Sequence, residues 1–219
     1  MTRQAEAQLL DFLMSEENLP YVVEILQQSR QIRKRLFRQF WAELHLYLQK
    51  NMPTLPASLA SMEWWPLAEG KMDDKRAWLW YWDSRLKDET RYLYYGAYCE
   101  RAGDTRCLGV GPLWEGGAPD RKVYELKSVA KLGEHLTSGG FKTGRTYLRY
   151  REISQFASAE DLLATIITSE KESLLRQISD GFWSLVGDTL GMVAEANEEI
   201  VKAGPPIEFL CTTAPLESP

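Results

Sequence analysis

The apolar positions of this chain follow a helical period, then a strand period, then a helical period again. From Val22 onward, Ile25, Ile32, Leu36, Phe40, Leu44 and Leu48 recur mostly at steps of three and four, the spacing of one helix face. Asn18 stands where an N-cap is expected, and Pro20 falls in the first turn, where a missing N–H costs little. Met52-Pro53 and Pro56 end the run. The pattern predicts a helix to about Asn51, roughly 45–50 Å long at 1.5 Å per residue. A short amphipathic segment over residues 4–15 precedes it.

The period then changes to two. The run AWLWYWDSRLKDETRYLYYGAY reads as two strands joined by a polar turn. Alternate side chains of a strand share a face, so Trp78, Trp80 and Trp82 form one row, with Leu79 and Tyr81 opposite. Such a row either fills the core of a sheet or presents flat rings to a ligand. Strands are predicted over about 77–84, 91–99, 105–111, 122–127 and 145–152, punctuated by Gly103-Asp104, Gly116-Gly117 and Gly139-Gly140. Most joining segments are too short for a helical crossover, which makes the sheet mainly antiparallel. Residues 128–137 can form one short helix within this region.

The rear of the chain returns to helical spacing. Ser158 opens one helix, and Ser169-Glu-Lys-Glu172 has the form of a capping box for the next. The stripe of that last helix is Leu175, Ile178, Phe182, Val186, Leu190, Val193 and Ile200. Gly187 and Gly191 form a GxxxG, read in water as a site of close helix packing or an oligomer contact. The fold class is α+β: a mainly antiparallel sheet of about five strands, flanked by long N-terminal and C-terminal helices. One domain is expected over residues 1–203, helical over 1–51, sheet over 77–152 and helical over 158–203, with a tail over 204–219.

Composition changes this picture little. With 44% apolar and 26% charged residues among 219, the chain has the make-up of an ordinary globular protein. The charge distribution is more telling than the net −5. Residues 158–219 hold eleven acids and three bases, so the rear carries −8 and the front +3. That asymmetry suggests two surfaces with different partners, the acidic one around Glu195, Glu198 and Glu199 suiting a basic protein surface. Cys99, Cys107 and Cys211 form neither a disulfide framework nor a zinc spacing. The opening MTRQAEAQLL lacks a signal-peptide core, and no segment approaches the ~20 apolar residues of a membrane span. A cytoplasmic setting is expected, with no membrane partner.

Three sets of residues carry candidate chemistry. Arg30, Lys34 and Arg38 repeat at i, i+4 and i+8 on the first long helix, with Arg33 and Arg35 beside them. Cations at that pitch can meet successive phosphates or an acidic protein; as a plain solvated face they would meet neither. Arg91-Tyr-Leu-Tyr-Tyr and Arg145-Thr-Tyr-Leu-Arg149-Tyr-Arg151 interleave rings with cations, a pattern that stacks single-stranded bases when exposed and forms ordinary core when covered. Glu125 and Lys127 stand two apart on an expected strand, as in nucleases that hold Mg²⁺ with a carboxylate and place a lysine beside the attacking water. That chemistry needs a second carboxylate on a neighbouring strand; Asp120 is too near in sequence, and Glu100 and Asp104 fall at a strand end. No cofactor is expected unless this metal site forms. His45 and His135 are too far apart in sequence to suggest a cluster.

The order of elements resembles part of a known superfamily. Residues 16–50 look like a helix found beyond the catalytic core in bacterial and phage PD-(D/E)xK proteins. Phe40-Trp41-Ala-Glu-Leu44, the Leu93-Tyr-Tyr-Gly-Ala-Tyr98 strand and Gly181-Phe182-Trp183 match its style over residues 16–100 and 145–200. The catalytic core of such proteins has no counterpart here. The resemblance implies an accessory region that recognises nucleic acid or a protein partner, in a nuclease or phage-defence setting, without cleaving. A non-enzymatic interaction protein is therefore expected. The alternatives are an Mg-dependent nuclease using Glu125 and Lys127 and a structural subunit of a homo-oligomer.

Overall fold

The computed structural model describes residues 3–52, 63–65, 76–82, 92–102, 105–114, 119, 121–144 and 148–203. Its elements run α1 (Arg3–Leu13), α2 (Leu19–Lys50), β1 (Glu63–Trp65), β2 (Arg76–Trp82), β3 (Leu93–Ala102), β4 (Thr105–Trp114), α3 (Arg121–Tyr124), α4 (Lys127–Ser138), β5 (Arg151–Phe156), α5 (Ala159–Ile166) and α6 (Glu170–Lys202). The strands lie side by side in chain order, every neighbouring pair antiparallel. The α+β class holds.

The core forms where α6 crosses β3 and β4, with α2, α4 and α5 packed around it. Fifteen positions of α6 are buried, from Leu174 to Ile200. One face of the sheet supplies Leu93, Tyr95, Ala97 and Cys99 from β3, and Leu108, Val110 and Trp114 from β4. The opposite face carries a smaller cluster of Tyr94, Tyr98 and Leu113, with Tyr150 packed edge-on against Tyr98. Because both faces are covered here, Leu93–Cys99 and Arg106–Trp114 are buried without alternation. Close approach explains two glycines of β4. A Cβ on Gly109 would collide with the Tyr98 hydroxyl, and one on Gly111 with the carbonyl of Arg149. Leu148 donates its N–H to the Pro112 carbonyl at 2.9 Å, which fixes this crossing segment against β4.

Polar side chains lock the layers. Asn197, fully buried, accepts from the N–H groups of Tyr92 and Leu93 at 3.2 and 2.8 Å and donates to the Leu93 carbonyl at 2.9 Å. A side-chain amide on α6 thus stands in for a strand partner at the start of β3. Thr189 Oγ1 and Tyr95 Oη lie 2.9 Å apart, and Trp183 Nε1 donates to the Leu48 carbonyl at 3.2 Å.

Several sequence expectations are corrected. Residues 122–127 form no strand. They are α3, a turn and the first residue of α4, closed by Glu125 and Leu126 N–H bonds to Lys122 and Val123 carbonyls at 3.2 Å. The strand expected over 145–152 begins at Arg151 instead, and β1 forms ahead of the first expected strand. Asn18 makes no side-chain cap on α2; its Nδ2 donates backward to the Phe12 carbonyl at 2.9 Å. Ser169 makes no side-chain cap either, whereas Ser158 does, accepting from Asp161 N–H at 3.1 Å. Gly187 and Gly191 face open space, so among the described residues this GxxxG is no helix contact. The close approach on α6 is at Gly181, where a Cβ would lie 2.6 Å from Ile153 Cδ1.

Candidate interaction surface

The two long helices differ in how they meet the domain, and the sequence of α2 explains why. A step of four residues carries a stripe about 40° further round a helix of 3.6 residues per turn. From Ile32 through Leu36, Phe40 and Leu44 to Leu48, four such steps wind the apolar line about 160° round α2. Only its last part meets the core. Phe37, Phe40, Trp41, Leu44 and Leu48 are each at most 2% exposed. Among the described residues ahead of Phe37, none is buried. Residues 19–36 thus form a segment roughly 27 Å long that reaches past the packed domain. Between them, Val22, Ile25, Ser29, Ile32 and Leu36 make a seam at alternating steps of three and four, turned about 100° from the buried stripe.

α1 extends this arm, and among the described residues it forms no extended packing with another element. Of thirteen large apolar side chains exposed among the described residues, nine lie between Leu9 and Ile32. They include Phe12 at 62%, Met14 at 65%, Tyr21 at 66% and Ile25 at 57% exposed, values typical of lysine on a soluble protein rather than of these residues. At its base the seam runs into a groove of about 160 Å³ between α2 and the α5–α6 junction, lined by Leu36, Phe40, Ile166 and Ile167 among others.

The expected basic stripe divides. Arg33 is committed to Glu160 of α5 at 2.9 Å. Arg35 and Arg38 are exposed and Lys34 half-buried, all three near the arm's base. Arg30 lies within α2, and its side chain is outside the described residues. The acids expected to form the rear surface, Glu195, Glu198 and Glu199, each have a partner within the fold. Glu199 accepts from the N–H groups of Lys127 at 3.3 Å and Ser128 at 2.6 Å, capping α4 from a neighbouring helix. Those bonds, the Ser128 N–H first, hold its carboxyl below the ordinary range. Glu195 faces Lys131 at 3.9 Å, and Glu198 faces Lys202 at 3.4 Å.

The other candidates do not converge. Arg149 donates to Thr137 Oγ1 at 2.9 Å and to its neighbour's carbonyl, which ties it to α4; Arg145 is outside the described residues. Trp78 and Trp80 hold register positions opposite Tyr98 and Gly96, but the rings of Trp78, Trp80 and Trp82 are outside the described residues. Glu125 is exposed and pairs with Arg121 at 3.6 Å, one turn away on the same helical segment. With Lys127 opening α4, the strand that would aim both side chains at one metal is not formed. Among the described residues no group of acids, histidines and cysteines could hold a metal ion, and no helix is long and apolar enough to cross a membrane. Sequence reading missed the arm because exposure is not written in an apolar residue; its one signal was the winding of the α2 stripe.

No protein-family model matches the chain, and comparisons with curated proteins and with solved structures give no match.

Proposed function

We propose that this chain is a non-enzymatic interaction protein, and that its working element is the arm made of α1 and residues 19–36 of α2, which docks a protein partner. The observation that carries the reading is the concentration of exposed apolar side chains between Leu9 and Ile32. Water penalises such a surface by about 25 cal/mol for each Å² of apolar area left uncovered. The arm is also poor in intrinsic helix formers at its start, where Pro20, Tyr21, Val22, Val23 and Ile25 follow one another closely. A helix of that composition gains its stability from packing, and among the described residues none ahead of Phe37 is buried by the domain.

The test is site-specific photocrosslinking in cells, with a benzophenone amino acid at Tyr21 or Ile25. Protein adducts at these positions, and none from the exposed Glu134 of α4, are expected. No adduct from either arm position overturns the reading.

A second reading rests on Lys34, Arg35 and Arg38, which form no ion pair among the described residues. It takes nucleic acid as the partner of the arm's base. Salt-sensitive binding of short DNA or RNA in fluorescence anisotropy, abolished by charge reversal at these residues, would favour it.

A further inference from the structure

β5 is the last strand of the sheet, paired with β4 on one side only. Just before it begins, Tyr150 exchanges backbone hydrogen bonds of 2.7 and 2.8 Å with Lys142 on the outer side. From Glu152 to Phe156 the backbone bonds to nothing but β4 among the described residues. Neither proline nor lysine lies within β5, two residues by which free strand edges are commonly blunted.

This edge has a wall beside it. α6 crosses the sheet with Asn197 at Leu93 of β3, Gly181 at Ile153 of β5 and Gln177 at Ser154. Its first two turns, with Thr165 at the end of α5, leave a groove of about 340 Å³ along Ser154, Gln155 and Phe156. Ser154 Oγ donates to Gln177 Oε1 at 3.4 Å, and Gln177 Nε2 donates to Ser173 Oγ at 3.3 Å. Both are long bonds that a ligand's groups can replace. Glu170 also lines the groove, exposed, and makes no ion pair among the described residues.

We infer that this groove takes an extended peptide segment of a partner protein, added to the sheet as a strand beyond β5, with a lysine or arginine set against Glu170. The alternating N–H and C=O groups of a strand edge are satisfied together by another extended backbone, which selects a peptide over a small polar molecule. Lys142 already holds the first place on that line, and the peptide continues it. The site shares no residue with the α1–α2 arm.

Amide hydrogen exchange, read by NMR on the full chain, tests the edge itself. The N–H groups of Glu152–Phe156 that point away from β4 should exchange rapidly, and those bonded to β4 slowly. Slow exchange of all of them means that the edge is already paired, and overturns the inference. Protection that appears only as protein concentration rises assigns the edge to a second copy, and overturns it too. A phage-displayed library of random dodecapeptides is then selected on the full chain, with the double variant Ser173→Trp, Gln177→Trp as counter-target. Both positions are exposed, so the variant should keep its melting temperature while its groove is filled. Peptides that bind the chain and not the variant are expected, enriched in lysine or arginine. Their binding should slow the exchange of the outward β5 amides. Methylation of alternate peptide nitrogens should weaken binding about tenfold each, and methylation of the intervening ones should not. Selection on Glu170→Lys should turn the preference from basic to acidic peptides. An empty selection overturns the inference, as do peptides whose binding ignores every N-methyl group or leaves the β5 amides exchanging freely.

Discussion

The helices α2 and α6 are nearly the same length, 32 and 33 residues, yet they serve opposite ends. The α6 stripe mixes steps of three with steps of four, so it stays on one side of the helix and is buried from Leu174 to Ile200. In α2 the steps of four accumulate, and the apolar line winds away from the domain before it reaches the N-terminal half. Similar length and similar apolar content give a core helix in one case and an outreaching arm in the other. The phase of the repeat, summed over the helix, makes the difference.

The comparison can be broken by substitution. Phe182→Ala on α6, where the ring is fully buried, should cost about 3–5 kcal/mol in urea unfolding, while Ile25→Ala on α2 should stay within about 0.5 kcal/mol in the monomer. Equal losses at the two sites would mean that the arm is packed. Asn197→Leu should come next. The buried N–H of Leu93 at the head of β3 loses the amide oxygen it bonds, at about 1–3 kcal/mol. A smaller set of changes separates the glycines of α6. Gly187→Ala and Gly191→Ala enter open space and should raise stability by about 0.5–1 kcal/mol through helix propensity. Gly181→Ala meets Ile153 and should fall below both in a side-by-side thermal melt.

The smallest expected effect is on the acid side of the stability profile. Glu199 is held below its ordinary value by the Ser128 and Lys127 N–H groups, and Glu43 by Lys171 at 2.7 Å. A carboxyl with a depressed folded-state value contributes stability that is complete above its unfolded value and is lost as pH falls through the folded one. Melting temperature should therefore drop as pH is lowered below about 4.3, the ordinary glutamate value. Glu199→Gln should flatten that drop and lower stability at neutral pH. An unaltered slope would show that the α4 cap carries no charge.

Much of the architecture was legible in the chain because it rests on local patterns. The α6 stripe, the Ser158 cap and the strand pairs around Tyr94 and Cys107 all follow from spacing and turn residues. The error at 122–127 has a physical cause. Val123, Leu126, Val129, Leu132 and Leu136 keep steps of three and four and are mostly buried, which is a helical period. Placing a strand there, between Gly116-Gly117 and Gly139-Gly140, is what made Glu125-Leu-Lys127 look like a metal motif. The roles of Asn197, Glu199 and Gly181 could not be read from the chain, since each depends on a contact far away in sequence. The arm was hidden for a related reason: spacing identifies an apolar face but not what lies opposite it.

The Asn197 clasp also bears on the order of events during folding. It joins positions 104 and 105 residues apart, and α6 lies across strands that precede it in the chain. Contacts of such long range carry a high loop-closure cost and slow the search for the native state. On the ribosome, β3 and β4 emerge well before their cover does, with Leu93, Tyr95, Ala97 and Val110 still facing water. Until α6 has been made those side chains lack their cover, and in that interval they are the part of the chain a chaperone would bind.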